Sequence, residues 1–250
     1  MKISVVIPNF NDLRISRAIN SVQSQTYKNI ELIVADGGSK NEELLAYYSQ
    51  LPNVKVNIEK DNGIFDALNK GIALATGDVI YLMGSDDYLS DNLAFEQVVN
   101  KFNANSSLDG VCIGCEFFNE EGKIIRTWYP DSVSSKKIKW GIFPPHFSLF
   151  LKRHLYEKVG PFNYKLYNNI AGDTVWLLDL AVKVPDFKID VLNAHHLKME
   201  YGGASTGSKK AVIRQFKVVA DYAKRNSKHL PAWFLLSPIR TFSKVFQLKF

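Results

Sequence analysis

Cysteine is scarce in this chain: its 250 residues contain two, Cys112 and Cys115. Their C-x-x-C spacing invites a zinc or redox reading, but a structural zinc needs four ligands and no second pair exists. The surrounding Gly110-Val-Cys-Ile-Gly-Cys-Glu-Phe-Phe118 reads as a strand rather than the helix start that activates a thiol. Two buried, unreacted thiols are expected. Long hydrophobic runs are lacking as well, since none approaches the ~18 residues that span a bilayer. The amino terminus runs straight into strand-like sequence without the profile of a signal peptide, so a location on the cytoplasmic side is expected. No internal repeat and no low-complexity segment is present, and 46% hydrophobic content is enough to bury a real core. Acidic residues run out in one region only. Residues 1–208 carry 21 Lys+Arg against 24 Asp+Glu, whereas residues 209–250 carry 10 against 1, so the formal net charge of +6 is a property of the tail.

What the chain does have is alternation. Ile3 to Ile7 is an apolar strand broken by Pro8-Asn-Phe-Asn-Asp12, and a helix follows with Ile15, Ala18, Ile19 and Val22 on one face and Asn11 or Asp12 as cap. Ile30 to Ala35 is a second strand ended by Asp36-Gly-Gly-Ser39, with Ser39 placed to cap a helix that runs to about Gln50. Val54 to Ile58 is a third strand. A helix from Ile64 to Ala75 puts Ile64, Ala67, Leu68, Ile72 and Ala75 on its inner face, and Val79 to Met83 is the fourth strand. Four strands alternating with three helices predict parallel βαβ units with right-handed crossovers. After a helix from Asp91 to about Phe102 the pattern changes. Gly110 to Phe118 and Lys123 to Tyr129 form a hairpin, Trp140-Gly-Ile-Phe-Pro-Pro-His146 is a loop over a site, Phe147 to Leu151 is strand-like, His154 to Lys158 a short helix, and Gly172 to Val184 a helix with Val175, Leu178 and Val182 inward.

The stretch Tyr81-Leu-Met-Gly-Ser-Asp-Asp87 organises the rest. A strand covered on both faces ends on two adjacent carboxylates, with Gly84 letting the backbone turn, at the sheet edge where α/β proteins bind ligands. Like charges repel, so a hard divalent cation that also bridges phosphates is the natural occupant. The alternative is a plain loop whose Asp residues form turns and cap the next helix.

Six pieces in order resemble glycosyltransferase family 2, of the GT-A fold, over about Lys2 to Ser205. They are Val-Val-Ile-Pro-Asn-Phe-Asn11, Glu-Leu-Ile-Val-Ala-Asp-Gly-Gly-Ser39, Asp-Asn-Gly-Ile-Phe-Asp-Ala-Leu-Asn-Lys-Gly71, Ser-Asp-Asp87, Pro-His-Phe-Ser-Leu-Phe150 and Ala-Gly-Asp-Thr-Val-Trp-Leu177. The resemblance implies a mostly parallel, Rossmann-like α/β domain over 1–208, with a nucleotide-sugar-binding half (1–103), an acceptor-binding half (104–208) and a basic, aromatic-rich helical tail (209–250). It further implies inverting transfer of a sugar from a UDP- or dTDP-linked donor to a saccharide acceptor, lipid-linked, as in bacterial enzymes that build O-antigen, capsule or other envelope polysaccharides.

By the same resemblance Asp87, with Asp86, holds Mn²⁺ or Mg²⁺. Ser85 stands at the first position of an Asp-x-Asp-like motif, which leaves open whether one or two carboxylates touch the ion. Pro8, Phe10 and Asn11 lie at the base pocket, where Phe10 stacks or else packs in the core, and Asp36 accepts from a uracil or thymine imide. Asp66, Asn69 and Lys70 contact the donor or form a solvated helix face. Asp173 is the base; many relatives carry Glu-Asp where this chain has Gly172-Asp173, so the role rests on one carboxylate. His146 binds the acceptor or is a packed loop histidine. His196 is an acceptor or lid residue, the resemblance leaving open whether it or His195 is a further metal ligand as in some GT-A enzymes, and residues 201–207 form a lid with Lys209 or Lys210 reaching the diphosphate. The tail, with Trp233, Phe234, Phe242, Phe246 and Phe250 among basic residues, lies on the anionic inner membrane face or packs against protein, including a second subunit in a homodimer. Two competing classes are a nucleotidyltransferase, which usually has a Gly-rich loop after its first strand, and a nucleic-acid binder using the basic tail, for which no recognition motif is present.

Overall fold

The structure, a computed structural model, describes residues 1–119, 121–129, 131–166, 169–201 and 209–228. Residues 202–207 of the expected lid (201–207), the aromatic tail from 229, and the side chains of His195, Lys209 and Lys210 lie outside the described residues.

Chain order is β1 (Ile3–Asn9), α1 (Ile15–Gln23), β2 (Ile30–Asp36), α2 (Glu42–Ser49), β3 (Val54–Ile58), α3 (Ile64–Leu74), β4 (Val79–Leu82), β5 (Tyr88–Leu89), α4 (Ala94–Ala104), β6 (Gly110–Phe118), β7 (Ile124–Trp128), α5 (Ser135–Lys139), a 3-10 turn (His146–Ser148), β8 (Leu149–Lys152), α6 (Arg153–Val159), α7 (Gly172–Lys183), β9 (Ile189–Glu200) and α8 (Lys209–Arg225). One nine-stranded sheet runs β3-β2-β1-β4-β8-β6-β9-β5, with β7 paired to β6. The pairs β2–β3, β1–β2 and β1–β4 are parallel. β8 runs against both β4 and β6, and β9 runs parallel to β6. The carboxyl ends of β1, β2, β3, β4, β6 and β9 therefore share one edge of the sheet, which is the edge where ligands of α/β proteins bind.

Most expected elements are present, with informative differences. β1 does not stop at Pro8 but continues to Asn9. Proline is tolerated there because β4 pairs β1 only as far as Val6, so no strand needs the missing N–H. The cap of α2 is Asn41, whose Oδ1 accepts from Leu44 N at 2.9 Å, because Ser39 is engaged with Asp36 instead. The inner face of α3 keeps Ala67, Leu68 and Ala75 as expected, with Ile72 partly buried, but it extends to Phe65 and leaves out Ile64. Phe65, Asp66, Ala67, Leu68 and Gly71 are buried while Ile64 is exposed, since Gly71 lets the helix settle onto Val6 and Ala35. The short helix α5 and the strands β5 and β9 are additions to the expected pattern.

Two apolar clusters flank the sheet. One contains Ile3, Val5, Ile7, the inner face of α1 and Phe95; the other contains Val6, Ile80, Leu82, Trp176 and α7. Tyr81 stacks on Phe150 with ring centroids 4.0 Å apart, tying β4 to the antiparallel β8 beside it. Cys112 and Cys115 are free and buried, and burial pushes both thiols up to about 12, as expected of unreactive core residues. The basic segment from Lys209 begins with α8, which docks through Val218, Tyr222 and Ala223, and Tyr222 Oη donates to Asp179 Oδ1 at 2.5 Å. No helix among the described residues is long and apolar enough to cross a membrane.

Candidate active site

The turn between β4 and β5 carries Ser85, Asp86 and Asp87. Gly84 is needed there for space: a Cβ on it would stand 2.7 Å from Asp87 Oδ2 and 2.8 Å from Asp86 Oδ1. The two carboxylates thus turn toward a common gap beside the strand end. Asp87 is buried (3% exposed), and Asp86 is half-buried. Burial, and then the neighbouring charge of Asp86, pushes the Asp87 carboxyl well above its ordinary value; burial raises Asp86 too. Hydrogen bonds from the backbone N–H groups of Gly84 and Glu200 offset only part of this. Two desolvated, mutually repelling carboxylates suit a hard divalent cation, which would relieve both penalties. Among the described residues no third His, Cys, Asp or Glu completes a cage, so such an ion would take its remaining oxygens from a phosphate or water.

The loops after β1 and β2 interlock. Asn11 adopts a left-handed conformation (φ 52°), and its Oδ1 accepts from Lys40 N at 2.9 Å while its own N–H donates to Ser39 Oγ at 2.7 Å. Pro8 is buried within β1, but Phe10 is 64% exposed, so the core-packing alternative for Phe10 fails and its ring faces open space beside the sheet edge. Asp36 is buried and committed. Its Oδ1 accepts from the N–H groups of Gly38 and Ser39, and its Oδ2 from Ser39 Oγ at 2.8 Å and Tyr48 Oη at 2.9 Å. Its four acceptor positions are filled from within the protein, and an incoming imide N–H would have to displace one of the two hydroxyls.

The three helix residues proposed for donor contacts are held in structural bonds. Asp66 accepts from Asn62 N and Nδ2, both at 2.9 Å, fastening the start of α3. Asn69 exchanges hydrogen bonds with both backbone groups of Phe162, at 2.9 and 2.8 Å. Lys70 Nζ donates to the Lys60 carbonyl at 2.7 Å and pairs with Glu59 at 2.8 Å. Asp61 escaped notice in the sequence although it belongs to one of the quoted pieces. Its carboxylate packs against Gly37, bridging the loops that follow β2 and β3, and accepts from Gly63 N at 2.8 Å.

Asp173 lies in the first turn of α7, half-buried, with hydrogen bonds from its own N–H and from the N–H and hydroxyl of Thr174. Burial outweighs these bonds and raises its carboxyl above the usual range. The N-terminus of α7 is docked on that of α3, because Phe65 packs on Gly172 and Asn169 donates to the Asn62 carbonyl. That contact brings the candidate base to the same sheet edge as the carboxylate turn.

Two histidines stand apart from solvent. His146 is boxed by Trp176 (centroids 5.1 Å apart), Phe162 (5.3 Å) and Tyr156 (6.5 Å), with Nε2 3.4 Å from Tyr156 Oη. Burial lowers it to about 3, so it is neutral at ordinary pH, and it packs against Trp176 of α7. His196 is equally enclosed: Nδ1 bonds Asp91 Oδ2 and Nε2 lies 3.2 Å from Gln97 Oε1, so both ring nitrogens are used in pinning β9 to α4 and neither points at Asp87 as a free ligand.

The residues matched by the description Glycosyl transferase family 2 are 4–159, more than half of the chain. The chain belongs to this family. Family 2 relatives include an uncharacterised glycosyltransferase of Nostoc, 33% identical over 175 residues, covering 64% of this chain and 54% of that protein. A PGL/p-HBAD biosynthesis glycosyltransferase of Mycobacterium tuberculosis is 27% identical over 178 residues (65% of this chain, 63% of that one). Chondroitin synthase of Escherichia coli is 28% identical over 235 residues, 89% of this chain but 33% of its own length. The family 2 chain thus spans from a third to under two thirds of these relatives. Among solved structures, residues 1–349 of TarS from S. aureus superpose with a TM-score of 0.71 at 18% identity, covering 100% of this chain and 75% of that one. A mannosyltransferase of Pyrobaculum calidifontis, solved with GDP-Man and Mn²⁺, superposes at 0.62 and 14% identity, covering 100% and 76%. At such identities the likeness is one of fold, and the fold is GT-A. Family membership sets aside the nucleotidyltransferase and nucleic-acid-binding classes.

Proposed function

We propose that this family 2 chain transfers a sugar from a UDP- or dTDP-linked donor to a saccharide acceptor with inversion at the anomeric carbon. The observation that carries the reading is the turn of Asp86 and Asp87 toward one gap at the carboxyl edge of the sheet. A divalent cation held by Asp87, with Asp86, would stabilise the charge that develops on a departing diphosphate. TarS has been solved with UDP and with UDP-GlcNAc, which supports a nucleotide-sugar donor here.

In this reading exposed Phe10 offers its face to the pyrimidine, with Pro8 and Asn11 shaping the loop, and Asp36 exchanges a hydroxyl partner for the ring imide. Asp173, raised by burial and only half-buried, takes the proton of the acceptor hydroxyl, and neutral His146 packs on Trp176 of the same helix. Ser85 flanks the carboxylates. Asp66, Asn69 and Lys70 act by fastening α3 rather than by touching the donor.

The further proposal is an envelope polysaccharide as product, with a lipid-linked acceptor at the inner membrane face. The exposed side of α8 supports it, because Arg214, Lys217 and Lys224 face solvent there, with Lys228 exposed just beyond the helix. The test is transfer from a panel of UDP- and dTDP-sugars to lipid-linked saccharides, with the product's anomeric configuration read by NMR. An inverted product supports the mechanism; a retained one overturns it.

A further inference from the structure

Neither the motif turn nor its cation reading explains a group of charges packed against it from α1 and β9. We propose that Arg17 is a positioning residue for the Asp86–Asp87 turn and that Glu200 holds Arg17 in place. The proposal rests on the cation reading given above.

Arg17 Nη2 donates to the backbone carbonyl of Asp86 at 2.6 Å, fixing the peptide that joins the two acidic residues. Its guanidinium carbon lies 4.4 Å from the ring centroid of Tyr88 and 5.3 Å from that of Phe118, so the planar head is seated on aromatic faces at the ends of β5 and β6. Glu200, the last residue of β9, approaches Arg17 Nη2 at 3.5 Å and Arg14 Nη1 at 2.7 Å, and Arg14 is anchored in turn on Asp12 at 2.7 Å. The backbone N–H of Glu200 meets the Asp87 carboxylate. The contacts form a closed ring: Asp87 to Glu200, Glu200 to Arg17, Arg17 to the Asp86 carbonyl.

Such a ring is what a pair of adjacent carboxylates needs. Left alone they would swing apart to relieve repulsion, whereas a pinned peptide keeps both pointing to the gap beside Gly84. Arg14 and Arg17 are matched by Asp12 and Glu200, so the group adds no net charge to the site. Its contribution is geometric, and that gives the proposal a sign. Removing a positive charge next to a cation site tightens binding by Coulomb's law; it weakens binding only if the arginine's geometry matters more than its charge.

The experiment is a titration of Mn²⁺ followed by the EPR signal of the free ion, in the presence of UDP, for the full chain and for Asp87→Asn, Arg17→Gln and Arg17→Lys, with melting temperatures recorded alongside. Arg17→Gln is expected to bind Mn²⁺ about tenfold more weakly, the loss usual for a partner one shell out from a metal. Arg17→Lys keeps the charge but not the fork or the stacking surface, and is expected to recover little. Binding by Arg17→Gln as tight as, or tighter than, the parent overturns the proposal. If Arg17→Gln does not fold, Arg17→Lys decides alone: weaker binding at equal charge supports positioning, and equal binding rejects it. Absence of Mn²⁺ binding by the parent, or full binding by Asp87→Asn, would instead overturn the cation reading and the proposal with it.

Discussion

The ring of Phe65 lies against Gly172 so closely that a Cβ on the glycine would stand 2.7 Å from Phe65 Cδ2. Phe65 comes from α3 and Gly172 opens α7, which carries the candidate base, so this contact sets how the two helix starts meet. Phe65 occupies the space that a side chain at 172 would take. Gly172→Ala is expected to destabilise the protein by about 1–3 kcal/mol through overpacking and to lower turnover as Asp173 shifts. Urea denaturation and steady-state kinetics on the same preparation check both effects.

Asp173→Asn keeps the shape of the side chain and removes the base. Turnover is expected to fall by a factor of ~10² to 10⁴ while the melting temperature holds. Because burial raises the Asp173 carboxyl, the parent should lose activity on the acid side at a pH above the ordinary aspartate value of about 3.9. An acid limb at or below that value would contradict the assignment.

His146 should be silent in that profile. With its ionisation lowered to about 3 it stays neutral through the working range, so its ring resonances should not titrate between pH 5 and 9 by NMR. A titration near the ordinary value of about 6.5 would mean that the aromatic box is open to water.

Glu31 ties the amino ends of the first strands together. Burial opposes its ionisation, but hydrogen bonds from Ser4 Oγ at 2.5 Å and from Thr76 N and Oγ1 at 2.7 and 2.9 Å outweigh burial and lower it to about 2. A lowered carboxyl contributes stability that is present above its unfolded value of about 4.3 and is lost as pH falls toward 2. Glu31→Gln is expected to cost about 1–2 kcal/mol at pH 7 and little at pH 2. Denaturant melts at both values test the sign.

How legible the site was depended on whether each signal is local. The inner face of α1, Ile15, Ala18, Ile19 and Val22, is buried as its spacing predicts, because helical periodicity is written in neighbours. Of the expected face of α3, Ala67, Leu68 and Ala75 are buried and Ile64 is not, while Gly71, which reads as a weakness in a helix, is in the fold the point of closest approach to β1. Asp36 could be seen at a strand end, but not that Tyr48, 12 residues on, already bonds it. Arg17 and Glu200 were out of reach for the same reason. Their meeting depends on β9, whose pairing with β6 no local pattern announces, although two arginines spaced i, i+3 beside the buried face of α1 were a signal that something charged lay opposite.

The central claim is that Asp87 joins a divalent cation to the diphosphate of a nucleotide. It is tested most directly by isothermal titration of UDP and dTDP into the protein with Mn²⁺, with EDTA, and into Asp87→Asn. The account predicts binding with Mn²⁺, its loss in EDTA and in the variant, and a melting temperature for Asp87→Asn that is unchanged or higher, since a buried, repelled charge has been removed. Nucleotide binding of equal strength in EDTA, or in Asp87→Asn with Mn²⁺ present, would contradict it.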